Sequence, residues 1–313
     1  MSKNKYFVFS DVHGEAEGLE RVLMQAGYDR NNPNHYLISC GDAFDRGPYS
    51  AEVLRMLQRP RVIAIKGNHD CFLQEYLEKG LDGEYVFFNI LRNGLNTTIE
   101  SLSGRNFGDN IDIKEYQNAR REIKNRYGFL QQLLQNMPLY YETKHFIFVH
   151  AGVDPRKENW KQTSEDFMLW DIDYSHISQM NTEGKIVVFG HHHTSSIRAL
   201  CEDKRIGYKT PKHGSIPFVL GVYGNEDENA PIQIQNKIGL DGCTILTKTP
   251  NVLVIEDDPI DEGENDTVID NCETRMGEYT DNIYTTTSSP FTYSFTTDGN
   301  IFIDGHNIGA MRW

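Results

Sequence analysis

Along the chain, short apolar runs alternate with stretches whose apolar residues recur every three or four positions, and these two periods predict strands and helices in turn. Tyr6 to Ser10, His35 to Cys40, Arg61 to Lys66, His145 to Val149 and Lys185 to Phe189 read as strands, being short and rich in β-branched and aromatic residues. Between the first two, Glu15 to Ala26 sets Leu19, Val22, Leu23 and Ala26 on one helical face. Between the second and third, Ser50 to Gln58 does the same with Val53, Leu54 and Leu57. Such strand-helix-strand alternation implies an α/β fold with a largely parallel sheet covered on both sides.

Residues 71–137 interrupt this rhythm with a mostly helical block, including Glu115 to Gln135 and ending before Pro138, which reads as an insertion. After Gly190 come a loop-rich stretch, Pro211 to Ala230, and two strand-like runs, Ile238 to Leu246 and Asn251 to Ile255. Residues 1–256 are read as one large domain. Residues 257–313, rich in Asp, Glu, Thr and Ser, show no clear period up to Thr287 and only a few apolar residues from Phe291 to Ile303. They are read as an acidic C-terminal appendage, either a flexible tail or an irregular extension.

Charge sharpens that division. Of the net charge of -14, the span from Glu256 to Trp313 carries -11, with 13 Asp and Glu against two Arg, so the rest is near neutral at -3. An acidic surface repels a phosphate backbone, which disfavours nucleic acid as a partner. No run approaches the roughly 20 apolar residues that cross a bilayer, and Met1 to Lys5 leads directly into a strand, so no membrane association and a cytoplasmic location are expected. The five cysteines are scattered without any Cys-x-x-Cys spacing, which argues against a disulfide framework or a thiolate zinc site.

The chemistry sits just past the strand ends: Ser10-Asp11-Val12-His13-Gly14, Gly41-Asp42-Ala43-Phe44-Asp45-Arg46-Gly47, Gly67-Asn68-His69-Asp70, His150-Ala151-Gly152 and Gly190-His191. Loops at the carboxyl edge of a parallel sheet converge on one crevice. Asp11 and His13, two apart on an extended chain end, point the same way and can hold one ion together. Asp42 has two carboxylate oxygens and can bridge two ions, with Asn68, His150 and His191 completing the second. Carboxylate, amide and imidazole without thiolate suit Mn, Fe or Zn. A single Asp or His at a strand end is most often a cap or turn residue; the ordered set carries the inference.

In these motifs the chain resembles the PPP family of metallophosphoesterases, and in particular its bacterial and phage members of the serine/threonine protein phosphatase type. The match runs over roughly residues 5–256. The resemblance implies the calcineurin-like αββα sandwich, with mixed sheets flanked by helices and a helical insertion, and a centre of two divalent metal ions, manganese first. It further implies that Asp11, His13 and Asp42 bind one ion and Asp42, Asn68, His150 and His191 the other. His69 is then the general acid, Asp45 orients it, Arg46 holds phosphate, and a hydroxide bridging the ions attacks directly. In the wider superfamily a Gly-His-x-His pattern lets the second histidine reach the first ion, and Gly190-His191-His192-His193 fits it, although PPP members seldom use that position.

Two departures stand out. Ser10 replaces the usual glycine. Leu169-Trp170-Asp171-Ile172-Asp173 lacks the arginine that helps hold phosphate in related bacterial phosphatases, leaving Arg156, Arg198 or Lys209 as candidates. The leading expectation is hydrolysis of phosphoserine and phosphothreonine monoesters in a phosphorylated protein or peptide. Bis(5'-nucleosyl)-tetraphosphatase activity, or hydrolysis of another small phosphoester, is the alternative, because that branch shares Gly-Asn-His-Asp and His-Ala-Gly. Asp45 leans toward the protein phosphatases, since the tetraphosphatase branch often has Ala there. A catalytically silent metal-binding scaffold is a third reading, against which the intact His69-Asp45-Arg46 set argues.

Overall fold

In β1 (Asn4–Phe9) the pleat divides the side chains: Tyr6 and Val8 face one layer, Phe7 and Phe9 another. That division organises the whole molecule. The computed structural model describes residues 4–108, 112–171, 181–201, 226–259, 283–288, 291–296, 300–303 and 306–310. β1 pairs in parallel with β2 (His35–Ser39), which pairs in parallel with β3 (Val62–Ala64). A second sheet contains β4 (Tyr140–Glu142), β5 (Phe146–Val149), β6 (Ile186–Phe189), β7 (Ile232–Ile234) and β8 (Lys237–Gly239), in the order β4-β5-β6-β8-β7. There β5, β6 and β8 are parallel and the two edge strands antiparallel.

Tyr6, Val8 and Ile38 from one sheet, with Ile65 just past β3, meet Phe146, Phe148, Ile186, Val188 and Ile238 from the other. Their alternating neighbours pack outward against helices. Phe7, Phe9 and Leu37 lie under α1 (Ala16–Gln25) and α2 (Ser50–Leu57), through Leu19, Val22, Val53 and Leu54. Ile147, Val149, Val187 and Phe189 pack with Met168 of α8 (Glu165–Trp170) and Ile197 of α9 (Thr194–Cys201). The result is the expected αββα sandwich of two mixed sheets.

The helical block comprises α3 (Asn68–Lys79), α4 (Val86–Arg92), α5 (Leu95–Ser103), α6 (Ile113–Arg126) and α7 (Leu130–Asn136), joined to the outer core by Leu73, Ile90, Leu95, Ile99, Ile123 and Leu134. The helical stretch expected from Glu115 to Gln135 is made of two helices, separated around Gly128, whose conformational freedom opposes helix continuation. The strand expected from Ile238 to Leu246 ends at Gly239. The Asp241 carboxylate turns back to accept the Cys243 N–H at 2.9 Å, and a short helix, Thr244–Thr247, follows.

β9 (Val252–Asp257) lies antiparallel to β1. Beyond it, the segment expected to be a tail or irregular extension contains β10 (Ile283–Ser288), β11 (Phe291–Thr296), β12 (Asn300–Ile303) and β13 (His306–Ala310). These extend the first sheet in the order β13-β12-β11-β10-β9-β1-β2-β3. The signal was present: Phe291, Tyr293 and Phe295 alternate with Thr292, Ser294 and Thr296, and the dipeptides Asp298-Gly299 and Asp304-Gly305 separate the later strands. Among the described residues, no helix is long and apolar enough to cross a membrane.

Candidate active site

Every motif follows the carboxyl end of a strand: residues 10–14 after β1, 41–47 after β2, Gly67 and the first turn of α3 after β3, His150 after β5, and 190–193 after β6. The loops are laced by backbone hydrogen bonds, among them Asp11 N–H to Gly41 O (3.1 Å), His13 N–H to Asp42 O (3.0 Å) and Gly190 N–H to His150 O (2.8 Å). Asp70 fastens the Asp42 loop to the start of α3, accepting the N–H groups of Asp42 (3.1 Å), Ala43 (3.1 Å) and Gly67 (2.8 Å). This crowding has a conformational cost. Asp11, His13, Asp42, Asp45, Arg46 and His191 all have φ between 44° and 72°, a left-handed region costing of order 1–3 kcal/mol for residues other than glycine.

The loops enclose a cavity of about 230 Å³ lined by the expected Asp11, His13, Asp42, Arg46, Asn68, His69 and His191. Among the described residues, two groups of donor atoms lie close enough to hold a metal ion, His13 with Asp42 and His69, and Asp42 with His150 and His191. Asp42 belongs to both. Its Oδ1 lies 3.4 Å from His150 Nε2 and its Oδ2 3.7 Å from His13 Nε2.

The hydrogen bonds assign the imidazole tautomers. His150 Nδ1 lies 2.9 Å from Cys40 O and His13 Nδ1 2.8 Å from Phe44 O, so each Nδ1 carries the proton and each Nε2 offers a lone pair. His150 Nε2 therefore meets Asn68 Oδ1 at 2.8 Å and Asp42 Oδ1 as a set of acceptors. Converging acceptors without a proton between them are what a cation satisfies, and carbonyl bonds at the far ring nitrogen orient metal-binding histidines in this way.

Charge points in the same direction. Burial, and then the Asp70 charge, pushes Asp42 well above the usual carboxylate range, and burial with the Asp241 charge does the same to Asp11. Burial lowers His13, His69 and His191 well below the usual imidazole value, with Arg46 adding to the effect on the first two and His150 on the third. Buried carboxylates and neutral imidazoles fit divalent cations, whose charge inverts the penalty on the carboxylates.

Asp11 departs from its expected grouping, for it is absent from the closest donor set around His13. Its Oδ2 accepts the His191 N–H at 2.9 Å and the Ser10 hydroxyl, while the side chain still lines the cavity. His69 and Asp45, expected to act as a pair, lie side by side. His69 Nδ1 donates to Asp45 Oδ2 at 2.9 Å, and Arg46 donates to His69 Nε2 at 3.0 Å and to His13 Nε2 at 2.8 Å. Burial raises Asp45 to about 8, with the Thr98 hydroxyl and Arg46 opposing the shift.

Several lining residues carried no motif: Phe72, Asn93, Trp170 and Asp241. Asp241 follows β8 as the other carboxylates follow their strands, a position that would have flagged it. His193 lines the cavity, 3.7 Å from Asp241, whereas His192 turns toward Asp171 at 3.9 Å. Arg156 pairs with Asp154, and Arg198 donates to the carbonyls of Ala230 and Pro231, so neither stands at the cavity; Lys209 lies outside the described residues.

Residues 5–208 match the calcineurin-like phosphoesterase family model. The chain is 25% identical over 219 residues to serine/threonine-protein phosphatase 2 of Escherichia coli (strain K12), covering 68% of this chain and 90% of that protein. It is 28% identical over 163 residues to the asymmetrical bis(5'-nucleosyl)-tetraphosphatase PrpE of Oceanobacillus iheyensis, covering 48% of this chain and 56% of that protein. A solved metallophosphoesterase from Sphaerobacter thermophilus aligns over 82% of this chain and 84% of its own, with a TM-score of 0.40 and 15% identity. Donor geometry and sequence thus meet in one assignment, and the chain belongs to the calcineurin-like phosphoesterases, a family of metallophosphoesterase hydrolases.

Proposed function

We propose that the protein is a metal-dependent phosphoprotein phosphatase that hydrolyses phosphoserine and phosphothreonine monoesters. Asp11, His13 and Asp42 would hold one ion and Asp42, Asn68, His150 and His191 the other, with manganese as the first candidate. Bound there, two divalent ions offset phosphoryl charge and activate water as a nucleophile near neutral pH.

The remaining steps belong to side chains. Arg46, whose terminal nitrogens here donate to His13 and His69, would turn its planar fork to two phosphoryl oxygens, a geometry lysine lacks. A serine or threonine alkoxide is a poor leaving group, so a proton delivered from His69 Nε2 lowers the barrier. Asp45 holds His69 Nδ1 and so fixes the orientation of the ring.

The observation that carries this reading is the buried Asp45 carboxylate 2.9 Å from His69 Nδ1, a pairing suited to protonating a strongly basic leaving group. Alignment over 90% of the Escherichia coli phosphatase adds support. The test is a manganese-loaded assay of a phosphoserine peptide beside diadenosine tetraphosphate. Release of inorganic phosphate from the peptide is expected; turnover of the dinucleotide alone, to two nucleoside diphosphates or to a mono- and a triphosphate, overturns the reading in favour of dinucleotide hydrolysis.

A further inference from the structure

The helical insertion reaches the catalytic loop at one dipeptide. Thr98, on α5 and fully buried, accepts the Asp45 N–H through Oγ1 at 2.7 Å and donates to Asp45 Oδ1 at 2.9 Å. Ser50 Oγ lies 3.1 Å from the same hydroxyl. A threonine hydroxyl has one proton, and Asp45 takes it, so Ser50 is the donor to Thr98. A directed chain results, Ser50 to Thr98 to Asp45 Oδ1, while His69 donates to the other oxygen, Oδ2.

The neighbouring residue is tied at the same place. Arg46 N–H donates to Gly94 O at 3.1 Å, just before α5 begins. Gly94 has φ +84°, and a Cβ there would sit 2.5 Å from the Arg46 nitrogen, so the approach requires glycine. Asp45 and Arg46 themselves have φ of 72° and 68°. Strained residues persist when their surroundings over-determine them, and here the start of α5 does so from both ends of the dipeptide.

We propose that Thr98 is a positioning residue for the general acid: it saturates Asp45 Oδ1 and thereby fixes Oδ2 toward His69, which makes the helical insertion a working part of the active site. The proposal rests on the reading of His69 as the proton donor. Without the hydroxyl, a buried carboxylate oxygen loses its donor and the carboxylate turns away from its set orientation.

The test compares leaving groups. p-Nitrophenolate departs without a proton, whereas a serine alkoxide needs one, so a misplaced acid penalises only the second. In Thr98→Val, kcat on a phosphoserine peptide is expected to fall by about tenfold or more with KM within about twofold. Turnover of p-nitrophenyl phosphate stays within about threefold, and Thr98→Ser restores both. Thr98→Ala removes the hydroxyl without setting a methyl group beside the carboxylate and is expected to show the same pattern if the valine variant does not fold. Equal losses on both substrates, no loss on either, or a serine variant as impaired as valine would overturn the proposal alone. A wild-type enzyme inert on the peptide overturns the functional reading, and this proposal with it.

Discussion

His150 Nε2 stands 3.4 Å from Asp42 Oδ1, and because the ring carries its proton on Nδ1, which donates to the Cys40 carbonyl, the two atoms face each other as acceptors. The other Asp42 oxygen points to His13, so one carboxylate serves both sides of the centre. Asp42→Asn removes that shared charge and is expected to weaken binding of both manganese ions, with turnover falling on the order of 100-fold. His193→Ala should cost less, since it leaves both donor groups intact. Isothermal titration with manganese checks this, and two ions bound by Asp42→Asn at wild-type affinity would remove Asp42 from its bridging role.

Gly190 is where the β6 loop passes closest to the β1 loop. A Cβ there would lie 1.7 Å from Ser10 Oγ and 2.1 Å from Asp11 Oδ2, the oxygen that accepts the His191 N–H. Gly190→Ala must therefore displace Ser10 and Asp11, or the loop that carries His191. Overpacking of this kind costs about 1–3 kcal/mol, and the displaced side chains should also weaken metal binding. Urea unfolding and manganese titration of the variant measure the two effects separately, and wild-type values in both would show the loops to be less tightly interlocked.

Lys237, on β8, is fully buried, and burial lowers its ammonium to about 8, with the Asp171 charge partly opposing the shift. The unfolded chain keeps that proton up to about pH 10.4, so between pH 8 and 10 the unfolded state binds more protons and stability rises with pH. Below pH 8 both states are protonated and the penalty is constant. The contribution amounts to about 3 kcal/mol across the window. Other groups titrate there too, so the measurement is the difference between wild type and Lys237→Met in urea unfolding from pH 7 to 10. Wild type should gain on the variant as pH rises, and parallel curves would contradict the assignment.

Much of this was legible because its signals are local. Four strand ends followed by Asp, Asn or His bring Asp11, His13, Asp42, Asn68, His69 and His191 to one cavity, and the place of their motifs just past the strands is a local signal. The left-handed backbone at six of the motif residues was not legible, because an Asp or His at positive φ looks like any other in sequence. Thr98 and Asn93 reach the site from a helical block whose apolar period says only that it packs. β10 to β13 were obscured by composition: the acidic, Thr-rich stretch masked a period of two that Phe291, Tyr293 and Phe295 display.

The proposed chemistry requires a paired-ion centre. Anomalous diffraction from manganese-soaked crystals should reveal two peaks about 3.5–4 Å apart, with Asp42 between them and His150 and His191 on one. A single peak, or none at this cavity in excess manganese, would contradict it.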